Sequence, residues 1–150
     1  MGLDMYLTRK VYVKNWGDKE DYHVSVTYKG ESTSINPTRV AYVTEDIGYW
    51  RKANAIHKWF VENVQDGTDD CGEYHVSKEQ LIQLMNDCQD VLDDPSTAKD
   101  LLPTTQGFFF GSTEYDDWYK DDLIKTIEIC QLALELAEKD RGTFYYHSSW

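Results

Sequence analysis

The residues best suited to hold a small anion fall in one short segment, residues 50–60. Arg51 and Lys58 are seven positions apart, which places them on one face if the segment is helical. Their charges suit a phosphate or carboxylate, and a planar ring could stack on Trp50 or Trp59. The segment therefore predicts a ligand clamp on a helix surface.

The same spacing also fits an ordinary amphipathic helix. Aromatic residues at helical spacing usually pack in a core, and Lys58 would then form a surface ion pair with Glu62. His57 falls on the core side, as a buried neutral histidine or as the general base of a small hydrolase. Sequence alone leaves these interpretations open. The candidate ligand-binding residues of this segment are Trp50, Arg51, Asn54, His57, Lys58 and Trp59.

The glycine-flanked loop at residues 107–113 is a second candidate anion site. Ser112 and Thr113 precede a predicted helix, where backbone amides can receive an anion. The loop lacks the Gly-Lys-Ser/Thr ending of a Walker phosphate loop, and the acids that follow it oppose an anion. Ser112 and Thr113 are nevertheless candidate binding residues, and either could cap the helix. A stacking wall could come from Tyr115, Trp118 and Tyr119.

Cys71 and His75 lie four positions apart, which permits a thiol nucleophile with a base or a metal site. Four zinc ligands at a recognised spacing are absent from the sequence, and the three cysteines form no C-x-x-C pair. We therefore expect no metal, no cofactor and no catalytic residue. The chain is expected to bind a ligand rather than to act as an enzyme.

The net charge of -12 and the pI near 4.6 exclude a general nucleic-acid binder, because such proteins neutralise phosphates with Lys and Arg. An acidic surface also fits a protein that occupies the basic surface of a partner. No segment has the length of a membrane span, and Asp4 interrupts any apolar leader. We expect a cytoplasmic protein without a membrane partner.

The length of the chain and its pattern of apolar residues predict a single α+β domain over residues 1–150, which must position the candidate site residues. Apolar alternation in the first third indicates an antiparallel sheet, with turns at residues 15–18 and 29–31. Tyr145 and its neighbours predict a last strand that returns to this sheet. Strands are expected at residues 3–7, 24–28, 39–44 and 73–76 and in roughly the last eight residues.

About three helices should pack with the sheet, near residues 50–65, 78–93 and 114–139. Ser77 and Gln80 form a capping-box pattern at the start of the second helix. Pro95 should start a short helical turn that ends before Pro103.

Four blocks of the sequence together resemble a family of short, mostly uncharacterised proteins of tailed bacteriophages and prophages. The blocks are Met-Gly-Leu-Asp-Met-Tyr-Leu at the start, residues 50–60, residues 108–118, and Phe-Tyr-Tyr-His-Ser-Ser-Trp at the end. The resemblance covers most of the chain and supplies no catalytic residue. It implies an accessory phage protein in the cytoplasm of an infected bacterium.

Accessory phage proteins often counter bacterial immunity, so the resemblance favours a small-molecule binder that sequesters a nucleotide-derived immune signal. The expected partner is a small phosphorylated or nucleotide-like ligand, and a homo-oligomer is compatible with this function. The alternative is an acidic protein that inhibits a host defence or nucleic-acid enzyme by binding it. The third hypothesis is a small hydrolase that uses His57.

Overall fold

The computed structural model describes residues 2–14 and 22–150. Alternating apolar residues form a central strand of its main sheet, β1 (Asp4–Tyr12). Met5, Leu7 and Val11 are buried on one face of β1, because successive side chains of a strand point to opposite faces. This face carries the core of the protein.

Four antiparallel strands form the main sheet in the order β4-β1-β6-β5. The strand that was predicted at the end of the chain is confirmed as β6, and it lies beside β1 at the centre of the sheet. A separate hairpin joins β2 and β3. The remaining strands are β2 (Thr27–Tyr28), β3 (Glu31–Ser32), β4 (Tyr42–Arg51), β5 (Tyr74–Val76) and β6 (Thr143–Ser149).

The described residues also form four α-helices, and together with the sheet they confirm the predicted α+β class. Within that part of the chain, no helix combines the length and the apolar character needed to cross a bilayer. The helices are α1 (Asn54–Asn63), α2 (Lys78–Asp93), α3 (Ala98–Leu101) and α4 (Asp117–Lys139).

Helix α2 begins where the sequence predicted. The Ser77 side chain accepts from the Gln80 N–H, and the Gln80 side chain accepts from the Ser77 N–H. The expected cap of α4 was wrong. Asp116, and not Ser112 or Thr113, accepts from the Tyr119 N–H and starts that helix, because a carboxylate is a strong cap at the positive end of a helix.

The predicted helix near residues 50–65 starts too early in the sequence interpretation. Residues 42–51 are strand β4, in which Trp50 pairs with Met5 of β1. Lys52 then has a positive φ of 59°, which turns the chain before α1 starts at Asn54. Arg51 and Lys58 therefore do not share a helix face.

The early strands also differ from the prediction. Only Thr27 and Tyr28 of residues 24–28 are in a strand, and the turn at residues 29–31 is confirmed. Residues 37–39 form a 3-10 turn, and the strand expected at 39–44 starts at Tyr42. The turn expected at residues 15–18 lies outside the described residues.

Glycine 48 brings strand β4 against helix α4. A Cβ at Gly48 would lie 2.4 Å from Cγ2 of Ile129, which is a buried residue of α4. The absence of a side chain therefore lets this strand and this helix approach closely, and their neighbouring ends border the cleft described next.

Candidate ligand-binding cleft

A cleft of about 330 Å³ lies where β4 ends, α1 begins and the first turns of α4 pass by. The loop between α3 and α4, residues 102–116, contributes a further wall. The volume falls near the lower end of the range for small-molecule sites, about 300 to 1,000 Å³. The cleft is thus large enough for a ligand of mononucleotide size.

Two consecutive cations, Arg51 and Lys52, line this cleft and are exposed. Neither side chain forms an ion pair or a hydrogen bond with another described residue. Acidic residues outnumber basic ones 27 to 15 in this chain, so two adjacent cations without a carboxylate partner are unusual. Their charge is available to an anionic ligand.

The start of α1 adds a second source of positive potential. Ala53 occupies the N-cap position, and no side chain caps this helix end. Ala53 and Ala55 line the cleft with small side chains. A helix start of this kind favours an anion, through its dipole and its backbone N–H groups.

Asn54 lines the cleft, and its side chain holds one wall of it in place. Its Nδ2 atom donates to the carbonyl oxygens of Phe110 and Ser112 at 3.1 and 2.7 Å, and its Oδ1 atom accepts from the Thr105 N–H at 3.0 Å. Asn54 is buried, so these bonds tie the α3–α4 loop to α1. Asn54, which was predicted as a ligand-binding residue, therefore lies at the cleft, but its side chain stabilises the wall of the cleft through these hydrogen bonds.

The opposite charge enters the cleft from α4 and from the loop before it. Glu114, Asp116 and Asp122 line the same cleft as the cations. Asp122 is partly buried, and burial raises its pKa to about 6, with the neighbouring carboxylates adding to the rise and Lys125 opposing it. The cleft is therefore bipolar rather than uniformly positive.

Trp118 stands at the mouth of the cleft with 79% of its surface exposed. A tryptophan that open presents a ring face on which a planar group can stack. Of the three aromatic residues considered for a stacking wall, Tyr119 is buried and donates its hydroxyl to the Leu102 carbonyl at 2.8 Å. Trp118 is the one that can meet a ligand in this cleft.

The two tryptophans predicted to stack on a ligand are packed in the protein. Trp50 has no exposed surface, and its Nε1 donates to Oγ1 of Thr126 at 2.9 Å. Trp59 is also buried, and its Nε1 donates to Oδ2 of Asp87 at 2.8 Å. Trp50 has no exposed face and Trp59 retains only 4% exposure, because strand alternation and the apolar stripe of α1 direct both rings inward.

Lys58 lines a different cleft from Arg51, beside Trp59 and Asp87. Its Nζ lies 3.7 Å from Oε1 of Glu62 one helical turn away, an ordinary surface pair. The predicted clamp of Arg51 with Lys58 is therefore not formed. Lys52, which follows Arg51 directly, takes the second position in the cleft. The signal available in the sequence was that these two cations are adjacent in an otherwise acidic chain.

His57 is buried, with 1% of its surface exposed, and both ring nitrogens have partners. Nδ1 lies 2.8 Å from the Tyr146 hydroxyl, and Nε2 lies 3.0 Å from Oδ2 of Asp69. Asp69 also accepts from Nε1 of Trp150 at 3.1 Å. These hydrogen bonds connect α1 with the loop that follows it and with the C-terminal strand. His57 is not among the residues that line the cleft.

Ser112 lines the cleft, whereas Thr113 lies in a shallower depression beside it. The Ser112 Oγ accepts from the Glu114 N–H at 3.1 Å. The Thr113 carbonyl accepts from Oγ1 of Thr104 at 2.9 Å. Of the two predicted residues, Ser112 is therefore the one that can reach a ligand in the cleft.

Cys71 and His75 do not form a chemical site together with their acidic neighbours. Cys71 is exposed, and the His75 ring packs edge-on against Tyr145. Asp70 accepts from the Gly72 N–H and from the Tyr74 hydroxyl, each at 2.9 Å. In residues 2–14 and 22–150, no group of three or more His, Cys, Asp or Glu side chains is placed to hold a metal ion.

No protein family model, curated protein or solved structure matches this chain. The function proposed below therefore depends on the chemistry of the cleft.

Proposed function

We propose that this protein binds a small phosphorylated ligand of the nucleotide type in the cleft, without converting it. The observation that carries this proposal is the pair Arg51 and Lys52, which line the cleft without a partner among the described residues. A phosphate there would gain charge-assisted hydrogen bonds and the positive end of α1. Such bonds are worth roughly 1.5 to 3 kcal/mol each.

The remainder of the cleft suits the rest of a nucleotide. Trp118 is exposed at its mouth and can stack on a base. Ala53 and Ala55 leave space for a sugar to approach the start of α1 closely. This combination of one charged end, a small floor and one aromatic ring is the usual pattern of a small-molecule site.

The resemblance to bacteriophage proteins supports a biological role for such binding. A phage protein that holds a nucleotide-derived immune signal lowers its free concentration, and this protects the phage without any chemical step. His57 agrees with a binder, since its ring is buried and both nitrogens are engaged. We therefore propose sequestration of such a signal, as an anti-defence function in the infected cell.

Isothermal titration calorimetry with cyclic AMP, cyclic GMP, ADP-ribose and the nucleoside monophosphates tests the proposal. Arg51→Ala should weaken the binding of any nucleotide that gives heat by about tenfold to a hundredfold, since a charge-assisted contact is lost. Lys58→Ala is the matched control, because Lys58 lines another cleft and should leave affinity unchanged.

The proposal fails if none of these nucleotides gives heat at high protein concentration. It also fails if Arg51→Ala and Lys58→Ala weaken binding equally, because the cleft would then have no special part. Thermal melts of both variants should match the wild type, since Arg51 has no side-chain partner in the described part of the chain and Lys58 loses only a surface pair.

The second candidate function is binding to a basic protein surface, and the exposed Trp118 favours it. Glu114, Asp117 and Asp121 are exposed around the same helix start, which gives an aromatic anchor with an acidic surround. Inhibition of a host defence or nucleic-acid enzyme would use this surface.

Charge substitutions separate the two functions. If a basic host nuclease is the target, the double variant Asp117→Asn/Asp121→Asn should slow its association and flatten the salt dependence, measured by stopped-flow fluorescence. Arg51→Ala should then change little. If a nucleotide is the ligand, Arg51→Ala has the large effect and the double variant has the small one.

A further inference from the structure

The Asp122 carboxylate faces the cleft without a hydrogen-bond donor from any described residue. Its backbone carbonyl accepts from Oγ1 of Thr126 at 2.6 Å, but within residues 2–14 and 22–150 no bond or ion pair reaches its side-chain oxygens. Partial burial without a donor is costly for a carboxylate. A bound ligand that brings N–H groups would remove that cost.

The polar side chains near Asp122 differ in how far they are engaged, and Asp122 combines partial burial with the lack of a donor among the described residues. Asp116 caps α4, and the Tyr119 hydroxyl donates to a carbonyl. Asn54 has donors and acceptor paired with the α3–α4 loop. Glu114 is exposed to water. Asp122 is thus a partly buried carboxylate of the cleft on which no described residue donates to either oxygen.

A carboxylate binds best to two parallel N–H donors, because its two oxygens lie side by side in one plane. The guanine base carries such a pair on one edge, at its N1–H and 2-amino groups. Hypoxanthine retains only the N1–H donor on that edge. Adenine places a single amino group beside the N1 acceptor, whose lone pair would face a carboxylate oxygen.

We propose that the cleft selects guanine nucleotides, with the phosphate at Arg51 and Lys52, the base on Asp122, and Trp118 against the ring. This inference rests on the proposed nucleotide-binding function and names its ligand class. The cations and Asp122 line one cleft of about 330 Å³, as a ligand with a charged end and a donor-bearing end requires.

Calorimetry with GMP, IMP, AMP and XMP tests the selectivity. The wild type should bind GMP about tenfold or more tightly than IMP or AMP, because each of these leaves the carboxylate short of a donor. Asp122→Asn should lose the preference for GMP over IMP. It should prefer XMP, since a carboxamide accepts from the xanthine N1–H and donates to the xanthine O2. Asp121→Asn, on the exposed side of α4, is the matched control and should retain the GMP preference.

The outcomes separate the two proposals. Binding of all four nucleotides with equal affinity, sensitive to Arg51→Ala, would overturn guanine selection and leave the nucleotide site in place. Tighter binding of AMP than of GMP, or an Asp122→Asn variant that still prefers GMP over IMP, would also overturn it. Absence of heat with all four would overturn selection, and together with the cyclic nucleotides and ADP-ribose would overturn the proposed function. A melting curve of Asp122→Asn verifies that the variant is folded.

Discussion

Replacing Asp122 with asparagine should stabilise the fold at about pH 7.5 and leave it nearly unchanged at about pH 3.5. Burial raises the pKa of Asp122 from 3.8 to about 6, so the folded protein holds this proton more tightly than the unfolded chain does. Such a group favours folding at low pH. Its contribution is lost as the pH rises through the window from 3.8 to about 6.

The size of the effect follows from the same difference. The whole difference in pKa corresponds to about 3 kcal/mol if none of it is screened. Water reaches part of the Asp122 side chain, so we expect about 1 kcal/mol of added stability. For a domain of 150 residues this raises the melting temperature by about 2 to 4 °C. Urea unfolding followed by circular dichroism at both pH values measures it.

Asp121→Asn is the control, because Asp121 is the adjacent carboxylate and is exposed. Its stability should stay within about 0.5 kcal/mol of the wild type at both pH values. A gain in Asp122→Asn that is equal at both pH values would refute the reasoning, as it could not come from the titration. Loss of stability at neutral pH would refute it as well, because the carboxylate would then have a favourable partner.

Three further substitutions test the framework of the site. Gly48→Ala should lower the free energy of unfolding in urea by about 1 to 3 kcal/mol, because its Cβ would lie 2.4 Å from an Ile129 atom. Adding Ile129→Ala should recover part of this loss. Losses that simply add in the double variant would contradict the clash. Asn54→Ala should lower the free energy of unfolding by about 1 to 3 kcal/mol and make the α3–α4 loop accessible to limited proteolysis. An unchanged cleavage pattern would contradict the conclusion that Asn54 holds this loop against α1. Tyr146→Phe removes the hydroxyl that contacts His57, and it should lower the free energy of unfolding by about 1 to 3 kcal/mol without altering nucleotide affinity. Lost affinity with unchanged stability would indicate that His57 contributes to ligand binding.

Local sequence signals were sufficient where one residue pair decides the structure. Ser77 and Gln80 satisfy each other's backbone N–H groups, so the start of α2 needs no tertiary information. Strand β6 was predicted from its aromatic residues. In the structure Phe144 and Tyr146 alternate along the strand and both are buried. The start of α2 depends on neighbours within a few positions, whereas β6 also depends on pairing with β1 and β5 far away in the sequence.

Residues 50–60 could not be assigned in the same way, because their pattern fits two periods at once. Trp50 is buried by strand alternation, while Ile56 and Phe60 are buried by helical spacing. The junction is set by pairing between β4 and β1 and by the positive φ of Lys52, and both are tertiary features. A helix assigned across the junction therefore placed Arg51 on the wrong element.

The cleft was only partly predictable for a related reason. Arg51 and Asn54 were predicted to lie on one helix and Ser112 in the loop before another, and all three line the cleft, although Arg51 lies on β4. Asp122 was not predicted to lie in a cleft, because nothing in a helix sequence shows which carboxylate among several becomes partly buried. Its position there depends on how α4 packs beside the start of α1.

The net charge of -12 and an anion site are compatible, because they act over different distances. At physiological ionic strength exposed charges are screened beyond about 8 Å, so distant carboxylates repel a phosphate only weakly once it reaches Arg51 and Lys52. The nearby Asp122 has a different effect. In the proposed arrangement, it disfavours any group that covers it without bringing a donor, and it repels an anion placed directly against it. A uniformly basic cleft would favour any anion, whereas we expect the bipolar cleft to favour a ligand that carries a phosphate at one end and N–H donors at the other.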